Sequence, residues 1–90
     1  MKGKKKPKWE GSLLEEQQRF NEKIGARLKA LRIQKGYSSH EKFAFENEFD
    51  RSQYGKYERG AADMRMSTLV RLLVILDIDP VEFFSEGFSE

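Results

Sequence analysis

The chain contains no cysteine, which excludes disulfides and thiolate metal sites. It has one histidine, His40, so a multi-histidine metal centre is excluded too, and no metal or cofactor is expected. Long apolar runs are missing as well. The most apolar stretch, Leu69 to Ile78, is too short to span a bilayer and is broken by Arg71. The basic start is not followed by an apolar segment, so it does not read as a signal peptide. These absences lead to the expectation of a soluble, cytoplasmic protein with no membrane partner. Apolar residues make up 38% of the chain and charged residues 36%, so ninety residues can build only a small core. Small cores are marginally stable, and a second copy would supply further burial. One domain fills this length, which leaves no room for an effector-binding domain and no expected small-molecule effector.

The net charge of +2 conceals an asymmetry. Lys2, Lys4, Lys5, Lys6 and Lys8 give the first eight residues a net charge of +5, with no acid among them. Residues 61–90 carry Arg65 and Arg71 against six acids, a net of −4. Such polarity suits an anionic partner at one end and a solvated or interacting acidic surface at the other. Met1 to about Gly11 has almost nothing to bury and is expected to be disordered when free. It reads equally as an arm that follows phosphates or as a solubilising terminus. Trp9, an aromatic beside lysines, leans slightly toward the arm.

Five helices are predicted, and no strand. Ser12 stands where it would cap the first, with Glu15 and Glu16 in the opening turn. Phe20, Ile24, Leu28 and Leu31 form its core-facing stripe, and Gly36 stops it. Gly25 inside that helix costs roughly 1 kcal/mol relative to alanine, a cost that close approach of another helix would explain. Ser38 and Glu41 stand in capping-box relation at the start of the second helix, which holds Phe43 and Ala44. Asn47 and Glu48 supply a turn, Phe49 plugs it, and Asp50 caps a third helix that ends at Gly60 with Tyr54 and Tyr57 facing inward. Ser67 is placed to cap a fourth helix with Leu69, Leu72, Leu73 and Leu76 on one face. Val70, Val74 and Ile75 widen that stripe, so this helix is expected to be the most buried. Asp79, Pro80 and Glu82 open a brief fifth helix, ended by Gly87.

Taken together, these elements resemble the phage repressor and Cro type of helix-turn-helix (XRE-like) DNA-binding domain over about Phe20 to Phe84. The residues that carry the resemblance are IGARLKALR, the S-x-x-E start of the second helix, and Ala44 four residues before the turn position. SQYGKYERG and the leucine-rich helix followed by DIDPVEFF complete the ordered set. Two departures stand out. Glu48 occupies a turn position where the family commonly has glycine, and such a residue has to tolerate φ > 0. There is also one more residue than usual between Gly36 and Ala44, so the family's phosphate-contacting glutamine falls on Ser39 or His40.

The resemblance implies an all-α, five-helix, lambda-repressor-like helix-turn-helix domain over residues 19–86. It leaves a basic, mostly flexible arm over 1–18 and a tail over 87–90. It places Arg51, Ser52, Gln53 and Lys56 in the major groove as base readers. Ser38, Ser39, His40, Lys42 and Arg65 are the phosphate candidates, with Arg59 a weaker one. Arg32 and Glu58 match a pair that bridges the first and third helices beneath the reading surface. Gly55 either lets the reading helix lie close to the groove floor or accommodates packing beside Tyr54.

The function expected is sequence-specific binding of double-stranded DNA by a homodimeric transcriptional regulator. Phe83, Phe84 and Phe88 are the candidate dimer contacts, Phe88 above all, since Phe83 or Phe84 also reads as intramolecular core. A protein-interaction adaptor or antitoxin-type partner with the same fold is the competing reading, carried by the acidic C-terminal third and by Glu48. An enzyme is not expected, because His40 has no nucleophile or orienting acid at a telling spacing.

Overall fold

The computed structural model describes residues 7–89, so Lys2, Lys4, Lys5 and Lys6 lie outside the described residues. Five α-helices follow a single 3-10 turn, Lys8–Ser12, and no strand occurs among the described residues. The helices are α1 Leu13–Gln34, α2 His40–Glu46, α3 Arg51–Arg59, α4 Met66–Leu76 and α5 Pro80–Phe83.

Their core forms where the apolar stripes meet. Ile24, Leu28 and Leu31 of α1 face Phe43 and Ala44 of α2, Tyr54 of α3, four leucines of α4, and Phe83 of α5. Leu28, Phe43, Tyr54, Leu72 and Phe83 are wholly buried, and each contributes roughly 1.5–3 kcal/mol through the apolar surface it removes from water. Phe20 lies half outside this core. Its ring stacks on Phe84 at 6.4 Å and meets Phe88 at 6.0 Å, closing the edge between α1 and the C-terminal segment.

Gly25 sits where α1 crosses α3. A Cβ there would lie 2.5 Å from the carbonyl oxygen of Tyr57 and against that of Glu58, so the crossing requires glycine. Helices α1 to α4 all end in the same closure, with a left-handed residue followed by an N–H that turns back onto the last turn. Gly36 and Gly60 take the left-handed position after α1 and α3, while Glu48 (φ 63°) and Asp77 (φ 55°) take it after α2 and α4. The glutamate thus adopts the backbone that the family's glycine would.

Several local expectations are corrected. Ser39, not Ser38, caps α2, accepting from the Lys42 amide at 3.2 Å. The helix starts one residue later than the Ser38–Glu41 spacing suggests, and Glu41 instead accepts from the Ser39 hydroxyl. Ser12 precedes α1 but donates to the Trp9 carbonyl rather than capping. Trp9 is exposed within an ordered 3-10 turn, part of the stretch expected to be disordered. Ser67 lies inside α4, whose N-cap is Arg65 with no side-chain cap. Asp79 caps α5 as expected, through the Glu82 amide at 2.8 Å, but the helix ends at Phe83, well short of Gly87. The largest revision concerns α4. Val70 and Val74 are 56% and 73% exposed, while Leu69, Leu72, Leu73 and Leu76 of the same helix are buried in the core.

Candidate nucleic-acid interface

The turn between α2 and α3 sets where α3 begins. Phe49 donates its amide to the Ala44 carbonyl at 2.8 Å, and Asn47 Nδ2 donates to the Phe43 carbonyl at 2.9 Å. Asp50 then caps α3 by accepting from the Gln53 amide at 2.8 Å. Arg51, Ser52, Gln53 and Lys56 are all exposed on α3. Among the described residues none of their side chains makes a hydrogen bond or ion pair, so their polar heads are available to an external partner.

Beneath α3 lies a buried polar fork. Arg32 of α1 donates from Nε to Glu58 Oε2 at 2.8 Å and from Nη2 to Oε1 at 3.0 Å, while Nη1 donates to the Tyr37 carbonyl at 2.7 Å. Tyr54 completes it by donating to Glu58 Oε2 at 2.6 Å. Only 4% and 7% of the Arg32 and Glu58 side chains reach solvent, so solvent does little to screen the pair. The bonds to Glu58 hold the Arg32 guanidinium charged, outweighing the opposing effect of its burial. Burial pushes the Tyr54 phenol up, with its hydrogen bond to Glu58 acting in the same direction. Both groups therefore keep their protons through neutral pH.

The phosphate candidates occupy different positions. His40 is the first residue of α2, and with Glu41, Asp50, Arg51 and Ser52 it lines a cleft of about 350 Å³ between the starts of α2 and α3. That cleft brings His40 beside two of the base-reading candidates, with two acids for neighbours. Ser39 is half-buried in its capping role. Ser38 and Lys42 are exposed around a second depression with Tyr37 and Glu46, and Lys42 lies 4.0 Å from Glu46 in a loose pair. Arg65 is exposed at the start of α4, and no hydrogen bond or ion pair joins it to α2 or α3. Gly55 is buried, and a Cβ there would press on the His40 ring at 3.1 Å. Glycine here accommodates the His40 ring of α2 and the Arg59 guanidinium, whose Nη1 would lie 3.3 Å from such a Cβ.

One residue at this site carries no sequence signal. Arg71 of α4 donates from Nη2 to the Asn47 carbonyl at 2.8 Å and the Glu48 carbonyl at 3.2 Å. Its guanidinium lies 4.1 Å from the centroid of the Phe49 ring. In the sequence Arg71 only interrupts an apolar run, since its partners are backbone groups more than twenty residues away.

Two short helices joined by a tight turn, the second held proud of the core on a buried fork, match a known family model. The model, described as a helix-turn-helix domain, covers residues 23–83. The chain belongs to the helix-turn-helix family. This helix-turn-helix protein, of the repressor and Cro type, is also similar to a solved structure, the restriction-modification controller protein C.AhdI from Aeromonas hydrophila. The two are 40% identical over 72% of this chain and 97% of that one, with a TM-score of 0.64. No curated protein matches the chain. The family match begins inside α1, so the helix-turn-helix protein has an N-terminal segment before it, including the exposed Leu13 and Leu14.

Proposed function

We propose that this helix-turn-helix protein binds double-stranded DNA in a sequence-specific way as a homodimer and regulates transcription, with α3 entering the major groove. The observation that carries this reading is the α3 surface itself. Arg51, Ser52, Gln53 and Lys56 are exposed and have no side-chain hydrogen bond or ion pair among the described residues, on a helix anchored from below by the Arg32–Glu58 fork. Arginine suits the two acceptors of guanine and glutamine suits adenine, each worth roughly 1–3 kcal/mol of discrimination. His40, Ser38, Lys42 and the first amides of α2 would contact phosphate, which adds affinity without reading sequence. The 40% identity to a restriction-modification controller supports a regulatory role of similar kind.

A homodimer follows from the small reading surface, since one short helix contacts few base pairs. The proposed contact face is the uncovered side of α4 with α5. Val70, Val74 and Val81 are exposed there beside a cleft lined by Leu73, Ile78 and Pro80. The phenylalanines are less suited to the role. Phe83 is wholly buried, and Phe88 packs against Phe20, Phe83 and Phe84 within its own chain. The adaptor reading loses weight because Glu48 takes the left-handed conformation and leaves the turn intact.

Selection of bound duplexes from a random pool tests the proposal. An inverted repeat with half-sites centred about 34 Å apart is expected. Reversing charge at Arg51 and Lys56 should abolish binding to the selected sequence. Failure to enrich any duplex, or unchanged affinity in Arg51→Glu/Lys56→Glu, refutes it.

A further inference from the structure

Glu48 pays a conformational penalty that a glycine would not, because a side chain in the left-handed region crowds its own backbone. It does so just before the start of α3. Asp50, two residues later, caps α3, so any drift of residue 48 moves the start of the reading helix. Among the described residues the other non-glycine residue in this conformation, Asp77, follows α4 and has no reading helix behind it.

We infer that Arg71 is a positioning residue that holds Glu48 in the left-handed conformation and thereby sets the position and tilt of α3. Its Nη2 bonds the carbonyls on both sides of the strained backbone, those of Asn47 and Glu48. Its planar head lies over Phe49, the ring that plugs the turn and contacts Tyr54 at 5.7 Å. A guanidinium suits this task because it bonds carbonyls from its edge while an aromatic ring covers its face, which an ammonium cannot do. Its charge also meets the carbonyl end of α2, where the helix dipole favours a cation. The anchor comes from outside the motif. Leu69, Leu72 and Leu73 seat α4 in the core, so the turn is tied to the rigid part of the domain. The effect on DNA rests on the proposed function, whereas the hold on the turn does not.

A mutant cycle between Arg71 and Glu48 tests this, read by affinity for the selected duplex and by amide exchange in the free protein. Arg71→Met is expected to weaken binding about tenfold, the scale of losing hydrogen bonds made by a charged group. The slope of affinity against salt should stay unchanged, because no phosphate contact is removed. Exchange at the Phe49 and Gln53 amides should quicken. Glu48→Gly alone should bind like the parent chain. The double variant should match Glu48→Gly to within about twofold, since glycine holds the turn unaided. If Arg71→Met does not fold, Arg71→Lys replaces it in the same cycle. A double variant as weak as Arg71→Met, unaltered exchange at Phe49, or a salt slope smaller by about one contact overturns the inference. Should the parent chain bind no duplex, the functional reading fails, and the exchange measurements still decide the role of Arg71.

Discussion

Glu58 has three claims on its carboxylate, two from Arg32 and one from Tyr54, and almost none of it reaches water. Removing it would strip the buried guanidinium of its carboxylate, leaving it the Tyr37 carbonyl, and take from the buried phenol the group it donates to. Glu58→Ala is therefore expected to cost about 3 kcal/mol or more, lowering the melting temperature by about 15 °C. It should also weaken duplex binding at temperatures where the variant is still folded, because the fork joins α1 to α3. Thermal denaturation and fluorescence anisotropy check the two effects separately. If both quantities stay at the parent values, the fork does not set the position of α3. Arg32 and Glu58 could be picked out as a pair from the family pattern, but Tyr54 and the Tyr37 carbonyl as further members could not. Their roles depend on side-chain direction across a helix crossing.

The α1–α3 crossing decides the geometry of the motif at the scale of elements. Helix propensity alone favours alanine over glycine by roughly 1 kcal/mol at position 25. A Cβ there would nevertheless press on the carbonyls of Tyr57 and Glu58, which belong to a helix backbone and cannot rotate away. Gly25→Ala is expected to destabilise the fold by about 1–3 kcal/mol, measured by denaturant unfolding, as overpacking outweighs propensity. A stabilised Gly25→Ala variant would mean that α3 can move away from α1 freely. The caps show how far local spacing reaches. Asp50 and Asp79 act as their positions suggest, each bonding the amide three residues on. Ser38 and Ser67 do not cap: the adjacent Ser39 takes that place for α2, and α4 already begins at Met66, so Ser67 falls inside it.

For the whole molecule, the outer face of α4 is the feature with consequences beyond one chain. An apolar stripe wider than one helix face reads as deep burial, yet Val70 and Val74 lie in solvent in the single chain. If a second copy covers them, Val74→Glu should convert the protein to a monomer in sedimentation experiments and weaken operator binding. Monomer stability should change by no more than about 0.5 kcal/mol, as expected for an exposed site. A Val74→Glu protein that sediments as the parent does would place any dimer contact elsewhere. No described helix is long and apolar enough to cross a membrane, so α4 is not a spanning segment despite its composition.

The linear order of residues determined the all-helical class, the number of helices and the residues on the outward side of α3, because helical periodicity and turn-forming residues act over a few neighbours. It also marked Gly25 and Glu48 as positions with unusual backbone demands. Only the tertiary structure decided which serine caps α2, which side of α4 stays uncovered, and that Gly55 serves His40. It alone revealed Arg71 reaching across to the turn. Those outcomes depend on contacts between segments far apart in the chain, where the direction of a side chain and the closeness of two backbones are settled only once the helices pack.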